Sequence, residues 1–376
     1  MQPEALIDPG EFLGIGGIAH LCSGGEAPFL RRHLDALRQF AADKSGGMAG
    51  RDRLFAVYGR AKQLAAKRLG TGPDSIAFLA HSSEGLNQVA RSIDWRAGDN
   101  VVVADVEFPS GILPFAALRP LGGETRILRA RNHYVGLADV SEAINGRTRL
   151  IVASQVSYLT GQRLDLAALA ALARQRGALL AVDATHALGV MPVDGTCCDF
   201  LVSSCYKWLL ATHGVGIFAC RPELVGGLVP ASLGWHSVQQ RDHQTDPTAI
   251  HLREDASRLE AGNPSFVSVY VLESALSRLA EVSATASLDH SLRLGGELIA
   301  GLNRRGYQVT TPEAPEERAG NICFLAGDAA RLTAHLAASG VLVWGSEGRV
   351  RVSVHIYNSE ADVARFFDAL DDIATH

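Results

Sequence analysis

The sequence predicts an α/β domain on a mostly parallel sheet flanked by helices, followed by a smaller α+β domain. Short runs rich in Val, Ile and Leu recur through the middle of the chain, and helix-like segments separate several of them. From about Gly234 to Asn263 the texture turns polar, His-rich and irregular. Strands alternating with helices build parallel pairs, and a polar stretch with turn residues separates compact units.

The strand-like runs are Ser75–Ala80, Asn100–Ala104, Thr125–Leu128, Leu150–Ala153, Ala178–Val182, Phe200–Ser203 and Val215–Ala219. Continuous apolar runs of this length suit strands buried on both faces. Leu86–Ile93, Leu113–Leu121, Val140–Asn145 and Leu166–Arg176 read as helices between them. Within the polar stretch, Asp246-Pro247 marks a turn. A long helical stretch then runs from Ser265 to about Arg305. Strand-like Asn321–Leu325, a helix near Ala329–Ser339, strand-like Arg349–Ile356 and a last helix from Ser359 complete the chain. The expected organisation is a large domain over 16–262 and a small one over 263–376, with residues 1–15 packing on the latter.

A formal charge of −5 and the absence of any Lys/Arg run argue against nucleic acid or a charged membrane surface as partner. No apolar stretch approaches the ~18–20 residues of a membrane span. The acidic, proline-bearing start, Met1 to Glu11, is unlike a signal peptide, so a cytoplasmic location is expected. The six cysteines are scattered without zinc-ligand spacing. They read as small buried hydrophobes rather than disulfides or a metal site.

Of 35 basic residues only four are lysines: Lys44, Lys62, Lys67 and Lys207. Lys44 lies in a Gly/Ser loop, and Lys62 and Lys67 are expected on the solvated side of a helix. Lys207 instead follows a strand and sits in Ser203-Ser204-Cys205-Tyr206-Lys207-Trp208-Leu209. Arginine can neither form a Schiff base nor readily lose its proton, and lysine can do both. Taken alone, Lys207 could equally be a salt-bridge partner. Asp183 shifts that balance, because it stands at the end of the Ala178–Val182 strand, where open α/β sheets bind ligands. It could cap the next short helix, or it could keep a pyridine nitrogen protonated, as pyridoxal 5′-phosphate (PLP) requires.

A phosphate needs a cradle, and Ala80-His81-Ser82-Ser83-Glu84-Gly85 passes from strand to helix through hydroxyl residues. The helix-start amides with Ser82 and Ser83 suit a dianion, although the same residues are ordinary caps. Phe108, beyond the Asn100–Ala104 strand, could stack on a flat heterocycle or simply join the core. Arg349, Arg351 and Ser353 alternate along one strand and would share a face, where Arg351 could fork onto a carboxylate.

Together the stretches AHSSEGLN, DVEFPSGILPF, QVSYLTGQRLDL, VDATHALG, DFLVSSCYKWLL, LEAGNPSF and VRVSVHIYN resemble class V aminotransferases, a group within the fold-type I PLP enzymes. That group includes cysteine desulfurases, kynureninases and isopenicillin-N-epimerase-like proteins. The resemblance implies the PLP-dependent transferase fold, with Lys207 carrying the cofactor in Schiff-base linkage and Asp183 beneath the ring nitrogen. It implies Phe108 stacked on the ring, Ser82, Ser83, Ser204 and Tyr206 at the phosphate, His186 by the phenolic oxygen, and Arg351 at the substrate carboxylate. It also implies a homodimer in which Asn263, replacing a more usual threonine, reaches the partner's phosphate.

Cysteine desulfurases of this group carry a nucleophilic cysteine shortly before the carboxylate-binding arginine. Val341-Leu342-Val343-Trp344-Gly345-Ser346-Glu347 has none, which disfavours the usual persulfide route. The expectation is therefore an enzyme of amino acids or small amines, foremost an aminotransferase, with a C–S or C–C lyase or an epimerase as alternatives. The substrate side chain is expected to meet loops near Cys22–Pro28, Lys44–Gly47 and Gly234–His243.

Overall fold

The computed structural model describes residues 4–239, 248 and 250–373. Its strands in chain order are β1 (Ala19–His20), β2 (Ile76–Leu79), β3 (Asp99–Ala104), β4 (Gly123–Leu128), β5 (Thr148–Ser154) and β6 (Leu179–Asp183). They continue with β7 (Phe200–Ser204), β8 (Gly216–Cys220), β9 (Asn321–Leu325), β10 (Val341–Leu342), β11 (Trp344–Ser346) and β12 (Arg349–Ser353).

Seven strands form the central sheet in the order β2-β8-β7-β6-β5-β3-β4. Every apolar run read as a strand between residues 75 and 219 is one of them. Only β8 runs against its neighbours, so the sheet is mixed but mostly parallel. Close approach fixes one residue type in β8: a Cβ on Gly216 would sit 2.8 Å from backbone atoms of His81.

The helices are α1 (Arg32–Lys44), α2 (Gly47–Leu69), α3 (Ser82–Ser92), α4 (Pro109–Ala116), α5 (Leu137–Ala143) and α6 (Leu166–Gln175), then α7 (Pro222–Val225), α8 (Phe266–Leu279), α9 (Ala284–Arg304), α10 (Ala329–Ala338) and α11 (Glu360–Ile373). Apolar cores lie on both faces of the sheet, one lined by Ile151, Val182 and Leu201, the other by Val101, Val152 and Val202. The long helical stretch is two helices. It breaks at Val282, and Ser283 caps α9 by accepting from Ala286 N at 3.0 Å. α8 packs on α1 and α2, whereas α9, α10 and α11 cover the three-stranded β11-β12-β9 sheet around Leu298, Phe324 and Phe366.

The N-terminal segment runs along the C-terminal unit. Ile7 N donates to Ile356 O at 3.0 Å, β1 pairs with β10, and Cys22 bridges to Ser353. Lys44 ends α1 rather than lying in a loop. The Asp246-Pro247 turn and residues 240–243 of the expected side-chain loop lie outside the described residues. Among the described residues, all six cysteines are free and no helix is long and apolar enough to cross a membrane.

Candidate active site

The carboxyl ends of β5, β6 and β7 deliver the site. Ser154 registers against Asp183, and Asp183 against Val202, two residues before Ser204. Together with the start of α3 and the turn after β7 they wall a cavity of about 300 Å³. Of the residues singled out from sequence, Ser82, Ser83, Phe108, Asp183, His186, Ser204, Tyr206 and Lys207 all line it. A larger cavity of about 690 Å³, behind the 155–164 segment, holds none of them.

Hydroxyls gather where α3 begins. Ser204 Oγ accepts from Ser82 N at 3.2 Å and lies 3.0 Å from Ser82 Oγ. Thr185 Oγ1 accepts from Ser204 N at 3.0 Å, and Ser83 Oγ lies 2.6 Å from Ser110 Oγ. A helix start beside such a hydroxyl cluster suits an anion.

Lys207 Nζ stands 3.3 Å from His186 Nε2 and 5.6 Å from the centre of the Phe108 ring. Burial, reinforced by Arg351, lowers its pKa to about 8, against the pull of Asp183 and Glu26. His186 Nδ1 takes the Trp208 indole N–H at 3.3 Å and faces Asn321 Nδ2 at 3.0 Å. An indole N–H only donates. A neutral imidazole accepting there carries its proton on Nε2, so the Lys207 contact is a hydrogen bond when Nζ is the neutral, accepting amine. Burial, then Lys207 and Arg351, holds the His186 pKa well below the usual value, which keeps the ring neutral.

Asp183 accepts from Thr185 N at 2.8 Å, the capping bond its position allowed. Burial pushes its carboxyl up, and Lys207 opposes that. Phe108 is 44% exposed, which rules out a core residue; it meets Tyr158 edge-on at 5.2 Å. Arg351 is 4% exposed and donates through Nη1 to Tyr158 O at 2.9 Å, while its Nε has no partner. Among the described residues no carboxylate pairs with it. Gly24 is what lets the Cys22–Glu26 loop approach, since a Cβ there would fall 2.6 Å from Ser353 Oγ and 3.1 Å from Arg351 Nε.

Three placements differ from the rest. Arg351 does not line the Lys207 cavity, although Tyr158, whose carbonyl it meets, does. Asn263 is outside the Lys207 cavity; its Oδ1 accepts from Arg51 at 3.1 Å, and it lines a neighbouring cavity that shares Gly214. Lys62 is not on a solvated face: it is buried, donates to Ser257 Oγ at 2.8 Å and has its pKa lowered by burial. Tertiary packing of the 255–260 segment overrides its helix register.

The aminotransferase class V family profile matches residues 27–366. The chain belongs to that family. Relatives of this class V enzyme include a probable cysteine desulfurase of Pseudomonas putida, 30% identical over 79% of this chain and 77% of the other. An uncharacterized aminotransferase of Bacillus subtilis is 26% identical over 82% and 81%. Among solved structures, the cysteine desulfurase CsdA of Escherichia coli aligns with a TM-score of 0.86 at 22% identity, covering 96% of both chains. A cystine C–S lyase in complex with cysteine persulfide aligns with a TM-score of 0.88 at 20% identity, over 96% and 99%. The fold is that of fold-type I PLP enzymes.

PLP is the cofactor of this class V enzyme, and the donor set fits it. A lysine held near neutrality, a buried carboxylate without a cationic side chain bonded to it and a hydroxyl-lined helix start converge on one cavity. Sequence reasoning did not single out Thr185, Ser110, Tyr158, Asn321, Glu107 or His213. Thr185, Tyr158, Glu107 and Ser110 stood inside quoted stretches, VDATHALG, QVSYLTGQRLDL and DVEFPSGILPF. His213, stacked on Tyr206 at 4.2 Å and 3.3 Å from Glu26, had no local signal.

Proposed function

We propose that this enzyme catalyses amino transfer from a small α-amino acid, with Lys207 as the cofactor-bearing lysine and Cα base and Arg351 as the seat of the α-carboxylate. Arg351 is the observation that carries the reading. A guanidinium this buried, with an orphaned Nε and no carboxylate beside it, lacks an anion, and a buried charge without one is costly. A substrate carboxylate supplies it, forked as arginine geometry favours.

When bound, PLP supplies the electron sink for the pair left on Cα. Asp183 would hold a proton on the ring nitrogen, Phe108 would cover the ring face, and His186 would donate beside the phenolic oxygen. Ser82, Ser83, Ser204 and Tyr206 would hold the phosphate. Lys207 would carry the proton taken from the substrate Cα. Amino transfer needs one such proton carrier, and Lys207, with its pKa lowered to about 8, can serve as both base and acid. We further infer a homodimer with Asn263 turned toward the partner's phosphate, and a cytoplasmic location.

A C–S lyase is the second reading, favoured by the desulfurase and lyase names of its relatives. Against the persulfide route, Trp344–Ser346 and Glu347 offer no cysteine. Cys22 lies in the fields of Arg351 and Lys207, but burial raises its thiol and makes the thiolate scarce.

The test is to incubate holoenzyme with single L-amino acids and an α-keto acid. Amino transfer yields the amino acid of the added acceptor. Sulfide or pyruvate from L-cysteine or cystine, with no transfer to any acceptor, refutes the first reading in favour of the second.

A further inference from the structure

We propose that Arg349 and the Tyr158 hydroxyl form a second anion subsite beside Arg351, so that the preferred substrates are α-amino acids with an acidic side chain. This rests on the reading of Arg351 as the α-carboxylate seat.

β12 sets out the geometry. Arg349, Arg351 and Ser353 alternate along it and share one face. At the inner end, Ser353 Oγ meets Asn321 Oδ1 at 2.9 Å, and Asn321 Nδ2 meets His186 at 3.0 Å. The face thus runs outward from the cofactor cavity through Arg351 to Arg349, a step of about 6.8 Å for two strand residues.

Arg349 shares the anomaly of Arg351. Its Nε is buried without a hydrogen-bond partner, and its side chain is only 14% exposed. Its single ionic contact among the described residues, Nη2 to Glu347 Oε2 at 3.2 Å, is with a side chain 81% exposed. A pair of that kind is weak and screened, and its carboxylate exchanges readily for another.

Tyr158 links the two arginines to the cavity it lines. Its carbonyl holds Arg351 Nη1, and its ring meets Phe108 edge-on. Burial raises its phenol, and Arg349 is the next strongest influence on it, ahead of Glu347, Glu107 and Arg351. The hydroxyl therefore sits in the field of Arg349 with a proton to donate. A side-chain carboxylate arriving there would replace Glu347 at Nη2 and accept from the phenol. A side-chain amide would bring no charge to a buried guanidinium.

Holoenzyme titrated with L-aspartate, L-glutamate, L-asparagine, L-glutamine and L-alanine, read by the cofactor's visible absorbance, decides the matter. The acids should half-saturate at concentrations at least about tenfold below their amides. Arg349→Met should bring that ratio close to one, Arg349→Lys should restore part of it, and Tyr158→Phe should lower it severalfold. Amides binding as well as acids in the wild type would overturn the subsite and leave the amino-acid reading standing. Undiminished discrimination in Arg349→Met would do the same. If no amino acid perturbs the absorbance, the amino-acid reading falls and takes the subsite with it.

Discussion

Replacing Lys207 with methionine should stabilise the cofactor-free protein, because the amine that serves catalysis is a burden to the fold. The ordinary lysine pKa of 10.5 falls to about 8 in the folded chain, mainly through burial and secondarily through Arg351. Below pH 8 the amine is protonated in folded and unfolded chains alike, and folding must desolvate the charge. Between 8 and 10.5 the unfolded chain binds more protons, so stability rises with pH across that window. At about 1.4 kcal/mol per pH unit, the cost below pH 8 is about 3 kcal/mol. Methionine nearly conserves the volume and removes the charge. Urea denaturation of both apoproteins between about pH 6 and about pH 11 measures the difference. The methionine variant should be more stable by about 3 kcal/mol near neutrality, the gain shrinking toward zero as pH passes 10.5. A gain that is absent near pH 7, or that does not change with pH, refutes the argument.

Two further perturbations follow from the other buried charges. Arg351→Met should weaken substrate binding by about 2–5 kcal/mol, seen as a raised KM, while raising apoprotein stability because an uncompensated charge is removed. Glu107 accepts from Ser154 N at 2.8 Å, and burial, with Asp183 adding to it against the Ser154 bonds, raises its pKa to about 7. Its folded-state pKa thus exceeds the unfolded 4.5, so stability is lost as pH rises from 4.5 to 7. Glu107→Gln should flatten that decline in a denaturation series, and an unchanged slope would show that Glu107 does not titrate there.

Apart from the edge strand β4, which exposes Glu124, Arg126 and Ile127, the sheet strands were legible because they are buried on both faces and therefore rich in apolar residues. Strand direction was not, since nothing in Val215–Ala219 distinguishes antiparallel β8 from its neighbours. The break between α8 and α9 carried a readable sign, Ser283 as a cap, obscured by helix-forming residues on both sides. Helix α1 went unread because its apolar side is shallow, with only His33 and Asp43 fully buried. Lys207, Asp183 and the Ser82–Ser83 turn were readable because each follows a strand that the apolar pattern had already placed. Lys62 misled, because its burial comes from Ser257, far away in the chain. The missing counter-ion of Arg351 and the pairing of His213 with Glu26 exist only in three dimensions.

Only four lysines make the central claim unusually direct to test. Borohydride reduction of holoenzyme fixes the cofactor to its lysine, and peptide mass spectrometry then locates the added mass. The account predicts the label on Lys207 alone. A label on the buried Lys62, or on Lys44 or Lys67, or no label in protein that retains the cofactor, would contradict it.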